Sequence, residues 1–285
     1  SGKVVGTIDH VDDSTLNLLF EVTTDAGDEI LIPASNDLIE EVSAEKKEIT
    51  VGVNPGSGEQ IMEQVAKVAE KDGLTVKVKV FSDYITPDKA LVDGDIDLNS
   101  YQHVPFLNTF NEKNGTDLVP IGDTYLAPIA LYSHRYTNIK DVPDGARIAI
   151  PNDPNNGSRA LLLLSKQGWI TLRDGADQTK LTTQDITSNP KNIDIVELEA
   201  GQLPRSIDDA DGAIINAGYA ITAGLRVSDR IATEDDTSPY INVIAARAKD
   251  KDNPAYQKFV KAFQSPEVKQ YIEENFKGEL LPAWK

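Results

Sequence analysis

The sequence has 285 residues, room for about two domains of ordinary size, and its 46 acidic and 28 basic residues leave a formal net charge of −18. That balance lacks the phosphate attraction on which nucleic-acid binding rests and argues against nucleic acid as a partner. The absence of cysteine rules out disulfides, thiolate metal sites and thiol nucleophiles, and no stretch reaches the roughly 20 apolar residues of a membrane-spanning helix.

The acidity is uneven along the chain. Residues 1–48 hold 12 Asp or Glu against 3 Lys, a net of −9, while the other 237 residues supply the remaining −9. A boundary is therefore expected near Glu48. The start lacks the basic-then-apolar run of a signal peptide. Ser1-Gly2 is a start left by processing, so any export signal is expected to have been cut away, if one existed. Short apolar runs (Val4 to Ile8, Leu16 to Val22, Glu29 to Pro33) alternate with the turn chemistries Asp12-Asp13-Ser14 and Asp25-Ala26-Gly27-Asp28, which predicts a small antiparallel β-module.

After Glu48 the order becomes strand, loop, amphipathic helix, strand, the pattern of an α/β architecture. Ile49 to Val53 reads as a strand, Asn54-Pro55-Gly56-Ser57-Gly58 as a loop, and the following helix carries Ile61, Met62, Val65, Val68 and Ala69 on one face. Neither a Gly-Lys-Ser/Thr sequence nor a third glycine completes a nucleotide fingerprint, so the loop is read as a tight turn whose helix start faces a cleft. Val76 to Val80 alternates as the next strand.

Two segments echo one another. Val78 to Tyr101 runs strand, helix start at Thr86-Pro87-Asp88, Asp93-Gly94, then strand Asp95 to Asn99; Ile193 to Tyr219 repeats the order through Leu203-Pro204-Arg205, Asp211-Gly212 and Ala213 to Asn216. Each copy delivers an Asn and then a Tyr at the C-terminal end of a strand, where open α/β sheets hold ligands. Two similar lobes facing one cleft explain the echo, although any α/β protein repeats such units.

The chemistry-bearing residues point to binding. His10, His103 and His134 are scattered, with no His-Glu-x-x-His pair for a metal and no Gly-x-Ser-x-Gly elbow for a nucleophile; neither metal nor cofactor is expected. Arg159 follows Asn155-Asn156-Gly157-Ser158 and precedes Ala160 to Leu164, which places it in the first turn of a helix. There a guanidinium and helix-end amides can clamp a carboxylate, or the Arg can simply join an ion pair. Phe81, Tyr84, Tyr101, His103 and Phe106 fall at the ends of elements, either lining an apolar pocket or filling core.

From about Ile49 to Lys285 the chain resembles the methionine-binding lipoprotein family, the extracytoplasmic substrate-binding components of methionine ABC importers. The resemblance rests on Val80 to Tyr84, Gly94 to Asp97 with Tyr101-Gln102-His103, Ala149 to Pro154 with Gly157 to Leu161, Leu198-Glu199-Ala200 with Gln202 to Arg205, and Ser238-Pro239-Tyr240. It implies a two-lobed periplasmic-binding-protein-like fold (type II), with lobe 1 formed by residues 49–135 plus 238–285, lobe 2 by residues 136–237, and crossovers near Tyr132 to Asn138 and Ile231 to Tyr240. By matching position, Arg159 would bind the ligand carboxylate, Asn156, Asn216 and Asn242 its polar end, and Phe81, Tyr84, Tyr101 and His103 its thioether. The implied partners are L-methionine, the membrane subunits of an ABC importer, and the membrane itself through a lipid anchor that this sequence does not include. Asn54 to Glu59, Asn155 and Ser158 depart from the family pattern. Residues 1–48 resemble part of the PRC-barrel of the ribosome maturation factor RimM, through Gly6-Thr7-Ile8, Glu29 to Ala34 and Leu38 to Val42, and are read as an appended β-module.

The expectation is thus a non-enzymatic protein that captures L-methionine between two lobes. The alternatives are a binder of another amino acid or of a methionyl dipeptide, an enzyme using His103 as base, and a surface adhesin or scaffold.

Overall fold

The chain divides between Glu45 and Lys46 into two units, three residues before the boundary expected from charge. The computed structural model describes residues 6–12, 19–24, 29–33, 47–235 and 238–284. In the first unit, strands Gly6–Asp12, Leu19–Thr24 and Glu29–Pro33 form an antiparallel sheet in chain order. Val22 pairs with Ile8 on one side and Ile30 on the other. The turns expected at Asp13-Ser14 and Asp25 to Asp28, and the segment Leu38 to Val42, lie outside the described residues.

The second unit holds two mixed sheets, each the base of a lobe. Lobe 1 has the strand order Leu281–Pro282, Leu118–Leu126, Ile241–Arg247, Leu98–His103, Glu48–Val53, Thr75–Val80. Lobe 2 has the order Asp194–Leu198, Arg147–Pro151, Gly212–Ile215, Ala130–Tyr132, Arg230–Thr233. In both, three neighbouring strands run parallel and the next is antiparallel.

Helical periodicity places the core on both faces of each sheet. Ile61, Met62, Val65 and Val68 of helix Ser57–Lys71 are buried with Tyr256, Phe259 and Phe263 of helix Pro254–Phe263. Leu91 and Leu107, on helices Thr86–Asp93 and Val104–Asn114, cover the opposite face. In lobe 2, Leu161 and Leu164 of helix Pro154–Lys166 pack with Trp169 and Ile148, while Leu203 and Ile207 close the other side. Each such side chain removed from water contributes about 1.5–3 kcal/mol.

The chain passes between the sheets twice. It leaves lobe 1 after Leu126 and enters lobe 2 at Ala130, so the first crossing precedes the Tyr132 to Asn138 segment expected for it; Tyr132 is already a strand residue of lobe 2. It returns between Thr233 and Ile241. The echo segments take equivalent places: Thr75–Val80, Thr86–Asp93 and Leu98–His103 in lobe 1 match Asp194–Leu198, Leu203–Ser206 and Gly212–Ile215 in lobe 2.

Candidate functional site

The polar side of the cleft grows from the start of helix Pro154–Lys166. Proline fixes the first helical residue, and the Asp153 side chain caps the helix by accepting from the Asn156 backbone N–H at 2.9 Å. Gly157 allows the close approach to the preceding strand, because a Cβ there would stand 2.9 Å from the Pro151 carbonyl oxygen. Asn156 is thereby held at the cleft, where its Oδ1 accepts from Asn216 Nδ2 at 2.9 Å, His103 Nε2 at 3.2 Å and Arg159 Nη1 at 3.4 Å. One amide oxygen therefore joins both lobes.

Arg159 is buried, not a surface cation. Its Nε donates to Glu234 Oε1 at 3.0 Å, and Nη2 donates to Glu234 Oε2 at 2.5 Å and to the Ala127 carbonyl at 3.1 Å. The guanidinium also lies 4.6 Å from the centre of the Tyr240 ring. Asn155 and Ser158, the departures beside it, bond Thr179 O and Gln178 O; they fasten the following loop and do not line the cavity at Arg159.

Lobe 1 supplies the aromatic side. Strand Leu98–His103 ends in His103, whose Nδ1 accepts the Phe106 N–H at 3.2 Å and caps helix Val104–Asn114. Nε2 must then carry the proton that it donates to Asn156. Burial, and next the Arg159 charge, hold the His103 pKa down to about 3, so the ring is neutral. With its one lone pair engaged in the cap, it is no general base. Tyr84 lies 5.9 Å from Tyr101, 6.1 Å from Phe106 and 5.0 Å from Tyr219, ring centre to ring centre. Burial pushes the phenols of Tyr84 and Tyr101 well above the ordinary tyrosine value, and Tyr101 donates to the Tyr84 carbonyl at 2.8 Å.

These groups line a pocket of about 360 Å³, part of it open to solvent, between the two lobes. Tyr84, Tyr101, His103, Asn156, Arg159, Asn216 and Asn242 all line it, together with Phe106. Phe81 does not: its ring packs against the core of Leu91, Ile96 and Leu107. Asn242 stands opposite His103 in the sheet and reaches the Tyr101 carbonyl at 3.4 Å. Asn216 Oδ1 is buried with no partner, an acceptor ready for a ligand N–H. A second cavity of about 430 Å³, lined by Asn54, Pro55, Ser57 and Tyr219, adjoins through Tyr84, Tyr101, Ala127 and Asn242. The loop of Asn54 to Gly58 thus faces the cleft. Contacts across the cleft hold it shut: Tyr219 donates to the Ser82 carbonyl at 3.0 Å, Lys180 meets Glu112 at 2.6 Å, and Thr222 Oγ1 reaches Pro55 O at 3.4 Å.

Sequence reasoning passed over Glu234, Ala127 and Gln102. Glu234 stands in an acidic run that reads as solvated surface, Ala127 offers only a carbonyl, and Gln102 enters the sequence reading only within the motif Tyr101-Gln102-His103, without a role at the site. Gln102 Nε2 donates to Asp88 Oδ1 at 2.5 Å, and Asn99 Nδ2 to the same oxygen at 2.8 Å, beneath the aromatic wall.

Two topologically matched α/β lobes, shut on a small cavity with an aromatic side and an amide and guanidinium side, define a two-lobed solute-binding protein. The model of the NlpA lipoprotein family matches residues 49–284, and that of the RimM PRC barrel domain residues 1–56. The D-methionine-binding lipoprotein MetQ of Salmonella typhi is 46% identical over 240 residues, 83% of this chain and 88% of that protein. A nutrient binding protein from Burkholderia cenocepacia, solved bound to methionine, is 48% identical with a TM-score of 0.81, covering 83% of this chain and all (100%) of the other. A periplasmic substrate-binding protein of an ABC transporter from Coxiella burnetii is 44% identical with a TM-score of 0.80, covering 82% and 100%. The chain belongs to the NlpA lipoprotein family.

Proposed function

We propose that this chain is the extracytoplasmic, membrane-anchored component of an ABC importer that captures methionine between its lobes and presents it to the membrane subunits, and that it catalyses no reaction. The observation that carries the reading is the cavity itself, which sets an aromatic wall opposite a polar end in a chain 48% identical to a methionine-bound protein. Tyr84, Tyr101, Phe106 and His103 would surround the thioether, since aromatic rings attract polarizable sulfur. Arg159 would take the carboxylate, with Asn156, Asn216 and Asn242 around the ligand's polar end. The L-isomer is the proposed ligand. Lobe 1 (residues 49–126 plus 238–285) and lobe 2 (from Ala130 to the second crossing) would hinge at the two crossings, and residues 1–45 would form an independent module.

The adjoining pocket, which shares Tyr84, Tyr101, Ala127 and Asn242 with the first, motivates a second reading, a methionyl dipeptide extending past Tyr84 and Tyr101. A thermal-shift titration decides, after endogenous ligand has been removed by unfolding and refolding. Ligand that binds only the folded state raises its stability by mass action, by about 2.7 kcal/mol at 100 times Kd. L-methionine is expected to raise Tm in a concentration-dependent manner, above D-methionine, glutamine and methionyl dipeptides. A larger response to a dipeptide would replace the ligand, and no response to any compound would refute the binding reading.

A further inference from the structure

Arg159 meets the cavity as a charge that is already matched. Its side chain is 2% exposed and that of Glu234 14%, and the two form a pair of parallel charge-assisted hydrogen bonds. Glu234 Oε2 also accepts the Ile129 N–H at 3.3 Å, while Arg159 donates to the Ala127 carbonyl. Ala127 and Ile129 belong to one crossing between the lobes and Glu234 to the other. The pair therefore ties together the two places where the chain passes between lobes, and it spends three of the five guanidinium N–H groups there. Nη1 keeps only the 3.4 Å contact to Asn156 and turns its remaining capacity to the cavity.

The Arg159 charge is consequently matched before any ligand arrives. Glu234 offsets it and His103 is neutral, while the Asp153 carboxylate, which does not line the cavity, lies at the helix start bonded to Asn156. A ligand bringing a carboxylate alone would add an uncompensated negative charge to a water-poor site, and one bringing an ammonium alone would add a positive charge. A zwitterion adds both, with Arg159 Nη1 for its carboxylate and the unpartnered Asn216 Oδ1 for its ammonium.

We infer that Glu234 is a specificity-determining residue: by neutralising the buried Arg159 it selects α-amino acids of zero net charge over carboxylates that lack the ammonium. Selection of this kind works by penalising the wrong charge, not by adding contacts to the right ligand. The inference rests on the methionine-binding reading.

Three probes of nearly equal shape test it by titration calorimetry on the full chain at neutral pH: methionine, its 2-hydroxy analogue with net charge −1, and methioninamide with net charge +1. The wild type should bind methionine at least about a hundredfold more tightly than either, as expected where a buried charge loses its match. In Glu234→Gln, which keeps the shape and an acceptor but removes the charge, the preference for methionine over the hydroxy acid should fall at least tenfold while methioninamide weakens further. Asp235→Asn, at the neighbouring acid paired with Lys166, should leave the ratio unchanged. An unchanged ratio in Glu234→Gln, or an equal shift in Asp235→Asn, overturns the assignment while leaving methionine binding intact. If Glu234→Gln does not fold, the wild type alone decides, because hydroxy acid bound as tightly as methionine is incompatible with a pre-neutralised guanidinium. A wild type that binds no methionine overturns the binding reading, and this assignment with it.

Discussion

The two lobes share one topology and divide the chemistry between them. In each, a strand ends at the cleft and passes directly into a helix: His103 closes the strand of lobe 1, and Asn216 follows that of lobe 2. These equivalent positions converge on the same atom, Asn156 Oδ1. Around that shared point the lobes diverge. Lobe 1 surrounds His103 with Tyr84, Tyr101 and Phe106, and burial keeps the two phenols and the imidazole neutral; lobe 2 contributes amides and a guanidinium paired with Glu234. The comparison teaches that the fold supplies equivalent positions, while the residues placed there make one side of the cleft aromatic and the other polar and charged; in the function proposed above, the first would read a side chain and the second a head group.

Removing Arg159 is the strongest way to break this division. Arg159→Ala leaves Glu234 buried without its cation, which should cost about 3–5 kcal/mol of stability and weaken methionine more than about a hundredfold. Tyr101→Ala should cost less, about tenfold to thirtyfold in affinity, through lost ring area and sulfur contact. The kind of loss separates them more sharply than its size. Tyr101→Ala should alter the preference for methionine over norleucine, whereas Arg159→Ala should weaken both alike. Calorimetry with the two amino acids checks this; a changed methionine-to-norleucine ratio in Arg159→Ala would contradict a head-group role.

The next effect in size tests how lobe 1 tolerates a buried acid. Asp88 Oδ2 has no partner, and burial pushes the carboxyl up to about 6 from 3.8. A folded-state value above the unfolded one means that the native protein binds the proton more tightly. The stabilisation is therefore full below about pH 4 and lost as pH rises through 6, by about 3 kcal/mol. His103 has the opposite sign, for its value falls from 6.5 to about 3, so its share of stability is present above pH 6.5 and lost on acidification toward pH 3. Between about pH 4 and 6 the two slopes oppose. Asp88→Asn should raise the urea-unfolding free energy at pH 7 by about 2 kcal/mol, do nothing near pH 3.5, and uncover a steeper acid loss from His103. Equal effects at both pH values would show that the carboxylate is not penalised by burial.

The sequence made the lobes legible because their signals are local. Helical spacing from Ile61 to Ala69, the proline start before Arg159 and the paired strand, helix and strand segments each lie within one short window, whereas the candidate site residues were assembled by resemblance, and seven of those eight line the cavity. What escaped depends on distance along the chain. Arg159 and Glu234 are 75 residues apart, so an acid in the run Glu234-Asp235-Asp236 carries no local mark of burial. Phe81 failed for the converse reason: an aromatic at a strand end has the same local pattern whether its ring faces the cleft or turns beneath the sheet. The first crossing was misplaced because Ala130–Tyr132 is a three-residue strand, too short for alternation to show.

The smallest effect concerns the contact between the lobes, not the chemistry of either. Gly56 precedes helix Ser57–Lys71 with φ +80°, and a Cβ on it would stand 2.3 Å from Thr222 Oγ1 and 3.4 Å from Thr222 Cβ, at the end of helix Ala217–Thr222 in lobe 2. Gly56→Ala should therefore act twice. The positive-φ backbone costs roughly 1–3 kcal/mol whether the lobes are open or shut, whereas the clash with Thr222 exists only when they are shut. The first lowers Tm; the second lowers methionine affinity, by about threefold to tenfold for a clash relieved by small shifts. Adding Thr222→Ala removes the nearer atom, so the double variant should recover affinity but not Tm. Affinity unchanged in Gly56→Ala alone would mean that methionine binds without bringing the loop of lobe 1 against the helix of lobe 2, and the two sides of the cleft would then read the ligand without closing on it.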